Sequence, residues 1–199
     1  MTEPAALLIV DVQRDFCPGG ALAVPHGDTV VPVLNRCIAT AVRERMPVYA
    51  SRDWHPSMSR HFEAHGGAWP PHCVQETEGA RFHPALQLPA DAIVITKGDT
   101  IDAEGYSALE GRTPEGRPFA DDLRARGIAR LYVGGLATDY CVRASVVGAR
   151  GAGFEVSVLT DAVAAIDLKP GDADRALAEM RDAGATLTTA ASWLRPRLP

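Results

Sequence analysis

The sequence predicts an α/β fold of three layers, α/β/α, with a mostly parallel central sheet of about six strands. Three observations lead there. Short apolar runs recur along the chain, several of them are unbroken rather than alternating, and helical patterns separate them. An unbroken apolar strand needs cover on both faces, the situation of a parallel strand between helix layers. Alternation of strand and helix supplies that cover.

Each element has its own warrant. Ala5–Val10 (AALLIV) reads as the first strand. From Thr29 to Arg45, Val30, Leu34, Cys37, Ile38, Ala41 and Val42 recur at three and four residues, a helix with Asp28 as its N-cap. Pro47–Ala50 and Ala92–Thr96 are the second and third strands. Phe119–Arg126 reads as a helix stopped by Gly127, and Leu131–Gly134 as a strand. Thr138–Arg150 is the next helix, with Thr138 as N-cap and Gly151 as stop. Phe154–Leu159, a helix over Asp172–Ala183 ending at Gly184, and Ala185–Leu187 complete the series. Arg52 to Ala90 breaks the alternation. It is rich in proline, lacks periodicity and contains Trp54 and Trp69. A loop of that length is functional or disordered, and two tryptophans argue for order. No repeat or linker divides the chain, so a single domain over 1–199 is expected, with a loop region at about 52–90.

Composition removes several function classes. The 199 residues are 46 % hydrophobic and 23 % charged, close to an ordinary globular protein. The net charge is −5 and no basic block is present, which argues against nucleic acid and anionic membranes as partners. No apolar run approaches the ~18 residues that span a bilayer. The run at Ala5–Val10 is too short for a signal peptide core and lacks basic residues before it. Cys17, Cys37, Cys73 and Cys141 have no C-x-x-C spacing and are too sparse for a disulfide scaffold. These features imply a reduced, soluble, cytoplasmic protein; they leave homo-oligomerisation open.

In open parallel sheets, ligands sit outside the carboxyl ends of the strands. Three chemically capable residues fall there. Asp11, after the first strand, is a turn residue or a general base whose pKa burial raises. Lys97, after the third strand, is a solvated strand end or an amine carried to the same edge; of 20 Lys and Arg it is one of two lysines, with Lys169. Cys141, in the first turn of the helix near Thr138, is a small buried thiol or a nucleophile. There the helix terminus favours a thiolate and free N–H groups suit an oxyanion. Five of the six histidines, His55, His61, His65, His72 and His83, lie in the long loop, with Asp53 two residues before His55. Imidazole with carboxylate suits zinc, iron or manganese; the other reading is a polar loop with scattered histidines.

The motifs D-V-Q-R-D-F and C-P-G-G-A-L over 11–22, D-W-H at 53–55, W-P-P-H-C-V at 69–74, K-G at 97–98 and G-L-A-T-D-Y-C-V at 135–142 occur together. In these the chain resembles the isochorismatase-like cysteine hydrolase superfamily, most closely its nicotinamidase (pyrazinamidase) branch. The resemblance implies a triad of Asp11, Lys97 and Cys141. It implies a cis Leu136–Ala137 peptide and an oxyanion hole from the N–H groups of Ala137 and Cys141. It implies one divalent metal, zinc first with iron or manganese open, on Asp53, His55 and His72, with His61 as a fourth ligand and His65 as its alternative. Phe16 and Trp69 would flank a pyridine ring, with Tyr106 as a third substrate-binding aromatic. The implied reaction converts nicotinamide, and pyrazinamide, to the acid and ammonia through a cysteine thioester, in NAD salvage. The alternatives are another small amide, carbamoyl or ureido substrate on the same nucleophile, attack by metal-bound water, or metal or pyridine binding without catalysis.

Overall fold

A computed structural model describes residues 4–195. Six strands form one sheet: β1 (Ala5–Val10), β2 (Val48–Asp53), β3 (Ile93–Lys97), β4 (Arg130–Leu136), β5 (Glu155–Ala164) and β6 (Thr186–Thr188). Their order is β3-β2-β1-β4-β5-β6, and every neighbouring pair is parallel. The helices are α1 (Val30–Arg43), α2 (Phe119–Ala125), α3 (Arg143–Gly151), α4 (Asp172–Asp182) and α5 (Ala190–Trp193).

β1 shows why the sheet is covered twice. All of Ala6 to Val10 is fully buried. Successive side chains point to opposite faces, so Leu7 and Ile9 enter one core and Ala6, Leu8 and Val10 the other. The first core is closed by Leu34, Cys37, Ile38 and Ala41 of α1 and by Ala190 of α5. The second is closed by Phe119 and Leu123 of α2, Val146 and Ala149 of α3, and Met180 of α4. Each fully buried Leu or Ile contributes roughly 1.5–3 kcal/mol, so the two layers together set the sheet's register.

The chain leaves β1 toward β2 and β3 on one side and returns to β4, β5 and β6 on the other. The reversal falls between β1 and β4, whose carboxyl ends therefore flank a crevice. Gly135 permits their close approach. Its φ is +127°, and a Cβ there would lie 2.1 Å from the Val10 carbonyl oxygen.

Several boundaries differ from the sequence expectation. β2 runs on to Asp53, and β5 continues five residues past Leu159. Asp28 does not cap α1; it lies in a short 3₁₀ turn, Gly27–Thr29, ahead of the helix. The expected helix over Thr138–Arg150 divides into a π-helical turn, Thr138–Val142, and α3. Thr138 is the first residue of that turn rather than its cap. α5 is a further short helix, capped by Thr189, whose side chain accepts from the Ser192 N–H. The long loop is ordered by short bridges, among them His55 with Val74 and Phe62 with Trp69.

Candidate active site

Three strand ends bring the candidate residues together. β1 delivers Asp11, β3 ends on Lys97, and the π turn after β4 presents Cys141. Asp11 adopts φ +46°, a left-handed conformation that Asp tolerates better than most residues. The Leu136–Ala137 peptide is cis, as the resemblance implied.

Lys97 is the hub. Its Nζ lies 2.7 Å from Asp11 Oδ2 and 2.5 Å from Asp53 Oδ1, and it donates to the Gly105 carbonyl. It donates hydrogen bonds to Asp53 Oδ1, the Gly105 carbonyl and Cys141 Sγ, one for each hydrogen of the ammonium, while Asp11 Oδ2 faces it as an ion-pair partner. Cys141 Sγ is 3.6 Å from the same nitrogen. Burial alone would depress the Lys97 pKa, but Asp11, Asp53 and Cys141 outweigh it and hold the ammonium well above its usual range. Asp11 moves the other way: burial pushes its carboxyl up to about 6, against the pull of Lys97. Burial also pushes the Cys141 thiol well above its ordinary value, with Lys97 opposing. The preference for thiolate expected from a helix terminus is therefore overridden. At neutral pH the resting pair is a thiol beside an ionised carboxylate.

Next to this group stands a second. The nitrogens of His55, His61 and His72 lie within 4.8 Å of one another. Neither ring nitrogen of His55 completes a hydrogen bond, although both are buried. Burial, then His72 and Lys97, lower the His55 pKa to about 3 against a weaker pull from the Gly98 backbone. Burial, then His55, His72 and Lys97, lower that of His61 to about 3 as well. Both imidazoles are thus neutral, with lone pairs available. The Nδ1 of His72 meets the Pro70 carbonyl at 2.8 Å, which leaves Nε2 as its free donor atom. Asp53 Oδ2 faces His55 Nε2 at 3.9 Å while its other oxygen holds Lys97. Three imidazoles and a carboxylate form a donor set that fits a divalent metal such as zinc, manganese or iron. Asp11, Asp53 and Cys141 also cluster, but the Lys97 ammonium already supplies the cation there. His65 is outside the histidine group, in the turn Glu63–His65. His83 accepts from the Ala85 N–H through Nδ1, a local structural bond.

A narrow cavity joins the two groups. Phe16, Trp69 and Tyr106 line it, together with Ala137 and Cys141. Trp69 Nε1 donates to Tyr106 Oη at 2.9 Å. A larger open cleft beside Pro4, Met46 and Arg130 brings no such chemistry together; its Arg126 and Arg130 pair with Asp122 and Glu155.

The structure adds residues that the sequence reading missed. Tyr140 packs edge-on to Trp69 at 4.9 Å, and Leu22 and Ile166 complete the cavity wall. Gln13 exchanges hydrogen bonds with the Asp53 backbone in both directions, each 2.8 Å. Ser51 Oγ donates to Asp11 Oδ1 at 2.7 Å. The carboxylate of Asp139 accepts from the N–H groups of Ile166 and Asp167 at 3.0 and 2.8 Å. The available signal was a polar residue inside an otherwise buried segment, as for Gln13 and Ser51, both fully buried.

Fold and site together define an α/β/α hydrolase, with its chemistry at the carboxyl edge of a parallel sheet. More narrowly, the chain belongs to the isochorismatase domain family, whose model it matches over residues 5–192. It is 43 % identical to the nicotinamidase of Escherichia coli (strain K12), over 96 % of this chain and 97 % of that one. The pyrazinamidase of Pyrococcus horikoshii in complex with zinc superposes with a TM-score of 0.86 at 46 % identity, covering 94 % of this chain and 99 % of the other. The L. infantum protein PnC1 in complex with nicotinate superposes with a TM-score of 0.80 at 35 % identity, covering 96 % and 94 %.

Proposed function

We propose that this chain hydrolyses nicotinamide, and pyrazinamide, to the acid and ammonia through a thioester on Cys141, as a step of NAD salvage. The observation that carries the reading is the buried Lys97 ammonium. It contacts Asp11, Asp53 and Cys141 on the wall of a small cavity lined with aromatics and imidazoles. The Escherichia coli relative and the nicotinate complex support the choice of substrate.

Asp11 takes the thiol proton, and Cys141 Sγ attacks the carboxamide carbon as the C=O pair moves onto oxygen. The N–H groups of Ala137 and Cys141 hold that oxyanion. On collapse the C–N bond breaks, and Asp11 returns its proton to the nitrogen, which leaves as ammonia. A water then loses a proton to Asp11 and attacks the thioester; the C–S bond breaks, and Cys141 regains its proton. Lys97 keeps its charge throughout and orients Asp11 against the thiol. Phe16, Trp69 and Tyr106 pack the ring. Asp53, His55, His61 and His72 would hold a divalent metal, which when bound supplies a Lewis-acid anchor for the ring nitrogen.

Ammonia release from nicotinamide tests the reading. Cys141→Ala is expected to lose at least about a thousandfold in kcat. Chelation should suppress the rate and added metal restore it. Normal ammonia release by Cys141→Ala would overturn the proposal.

A further inference from the structure

We propose that Ser51 is a positioning residue for the amide hydrolysis: its hydroxyl pins one oxygen of Asp11 so that the other is the atom that receives the thiol proton. The inference rests on the reading of Asp11 as the base. It deepens that reading by naming which oxygen acts and what selects it.

A free carboxylate has two equivalent oxygens, and rotation about Cβ–Cγ exchanges them. Here β2 removes the equivalence. Ser51 is fully buried on β2, the strand beside β1. Its carbonyl accepts the Asp11 N–H at 3.2 Å, and its hydroxyl donates to Oδ1 at 2.7 Å. One neighbour thus grips both the backbone and the side chain of Asp11. Oδ2 is buried and accepts no well-aligned hydrogen bond, although it lies 2.7 Å from Lys97 Nζ. That nitrogen in turn lies 3.6 Å from Cys141 Sγ.

Counting protons completes the assignment. Ser51 has one hydroxyl hydrogen, and it is committed to Oδ1. Oδ2 retains a lone pair on the side of Lys97, whose nitrogen lies 3.6 Å from the thiol sulfur. In the first step the S–H bond breaks, an O–H bond forms at Oδ2, and the electron pair stays on sulfur. On ammonia release the same hydrogen moves from Oδ2 to the departing nitrogen. Without the Ser51 hydroxyl, Oδ1 loses its partner in the core, and the carboxylate is free to rotate toward Lys97 through either oxygen.

Steady-state kinetics of ammonia release from nicotinamide test this with folded variants. Ser51→Ala is expected to lower kcat by about 10- to 100-fold with KM within about twofold, the scale of a misplaced catalytic group. Ser51→Thr keeps the hydroxyl and should return kcat to within about threefold of the parent. Ser51→Cys, of similar size but a weak donor, should resemble Ser51→Ala; it carries the test if the alanine variant does not fold. A folded Ser51→Ala or Ser51→Cys with the parent kcat would overturn the proposal. So would a loss confined to KM, or no rescue by a folded Ser51→Thr. Asp11→Asn is the separate control: if it keeps the parent rate, the reading of Asp11 as base fails, whatever Ser51 does.

Discussion

Lys97 meets two carboxylates, a carbonyl and a thiol inside a space with no side-chain exposure. A compact ammonium can do that; the planar fork of an arginine cannot turn three donors inward on so short a radius. The other lysine, Lys169, lies on an exposed loop. The charge beside Asp11 has a consequence for pH. Its carboxyl, raised by burial to about 6, must be ionised to take a proton. The rate should therefore fall on the acid side with an apparent pKa near 6, about tenfold per pH unit below it. Unfolding does not account for such a limb. A carboxyl whose folded pKa is raised contributes stability in full below its unfolded value of 3.8 and loses it as pH rises through about 6. Asp11 thus stabilises the fold where it stops catalysis. A pH profile of kcat/KM with a thermal melt at each point checks both signs; an acid limb that tracks the melt would contradict the assignment.

Among the elements, the π turn carries two tasks. It ends β4 at Gly135 and Leu136 and presents Cys141, and through Asp139 it ties down the loop after β5. That loop contributes Ile166 to the cavity wall. Asp139→Ala should release the wall, raising KM for nicotinamide by about 3- to 10-fold with a smaller change in kcat. Loss of two N–H bonds to a buried carboxylate should also cost about 1–3 kcal/mol in urea unfolding. An unchanged KM would show that Ile166 holds its position without the tie. The motif at 135–142 was legible because its residues are contiguous. The partners of Asp139 were not, because Ile166 and Asp167 stand 27 and 28 residues away and meet it only after β5 and α4 pack. The long loop gives the same lesson. The resemblance put His61 ahead of His65 without deciding between them, since a loop without a period does not say which side chain turns inward; bridging of Phe62 to Trp69 brings His61 beside His55 and leaves His65 apart.

Across the whole molecule, the four residues proposed to hold the metal join the loop to the sheet: Asp53 ends β2, while His55, His61 and His72 belong to the loop. A bound ion would therefore stabilise the fold as well as the site. At a hundredfold excess over Kd, binding adds about 2.7 kcal/mol. For a chain of this size each kcal/mol shifts Tm by about 2–4 °C. Chelation should lower Tm by about 5–10 °C in the parent and by far less in His55→Ala. Equal shifts in both would place the ion elsewhere.

Unbroken apolar strands alternating with amphipathic helices determined the three-layer parallel fold, because such strands have no other way to stay dry. The contiguous motifs, through the family they resemble, named Asp11, Lys97, Cys141 and the histidines. Tertiary structure alone decided that one ammonium joins two carboxylates to the thiol, that burial leaves the thiol protonated, that Ser51 bonds to Asp11, and that Asp139 ties the loop after β5 to the π turn. Those are distances between strands and loops far apart in the chain, and local pattern carries no distance.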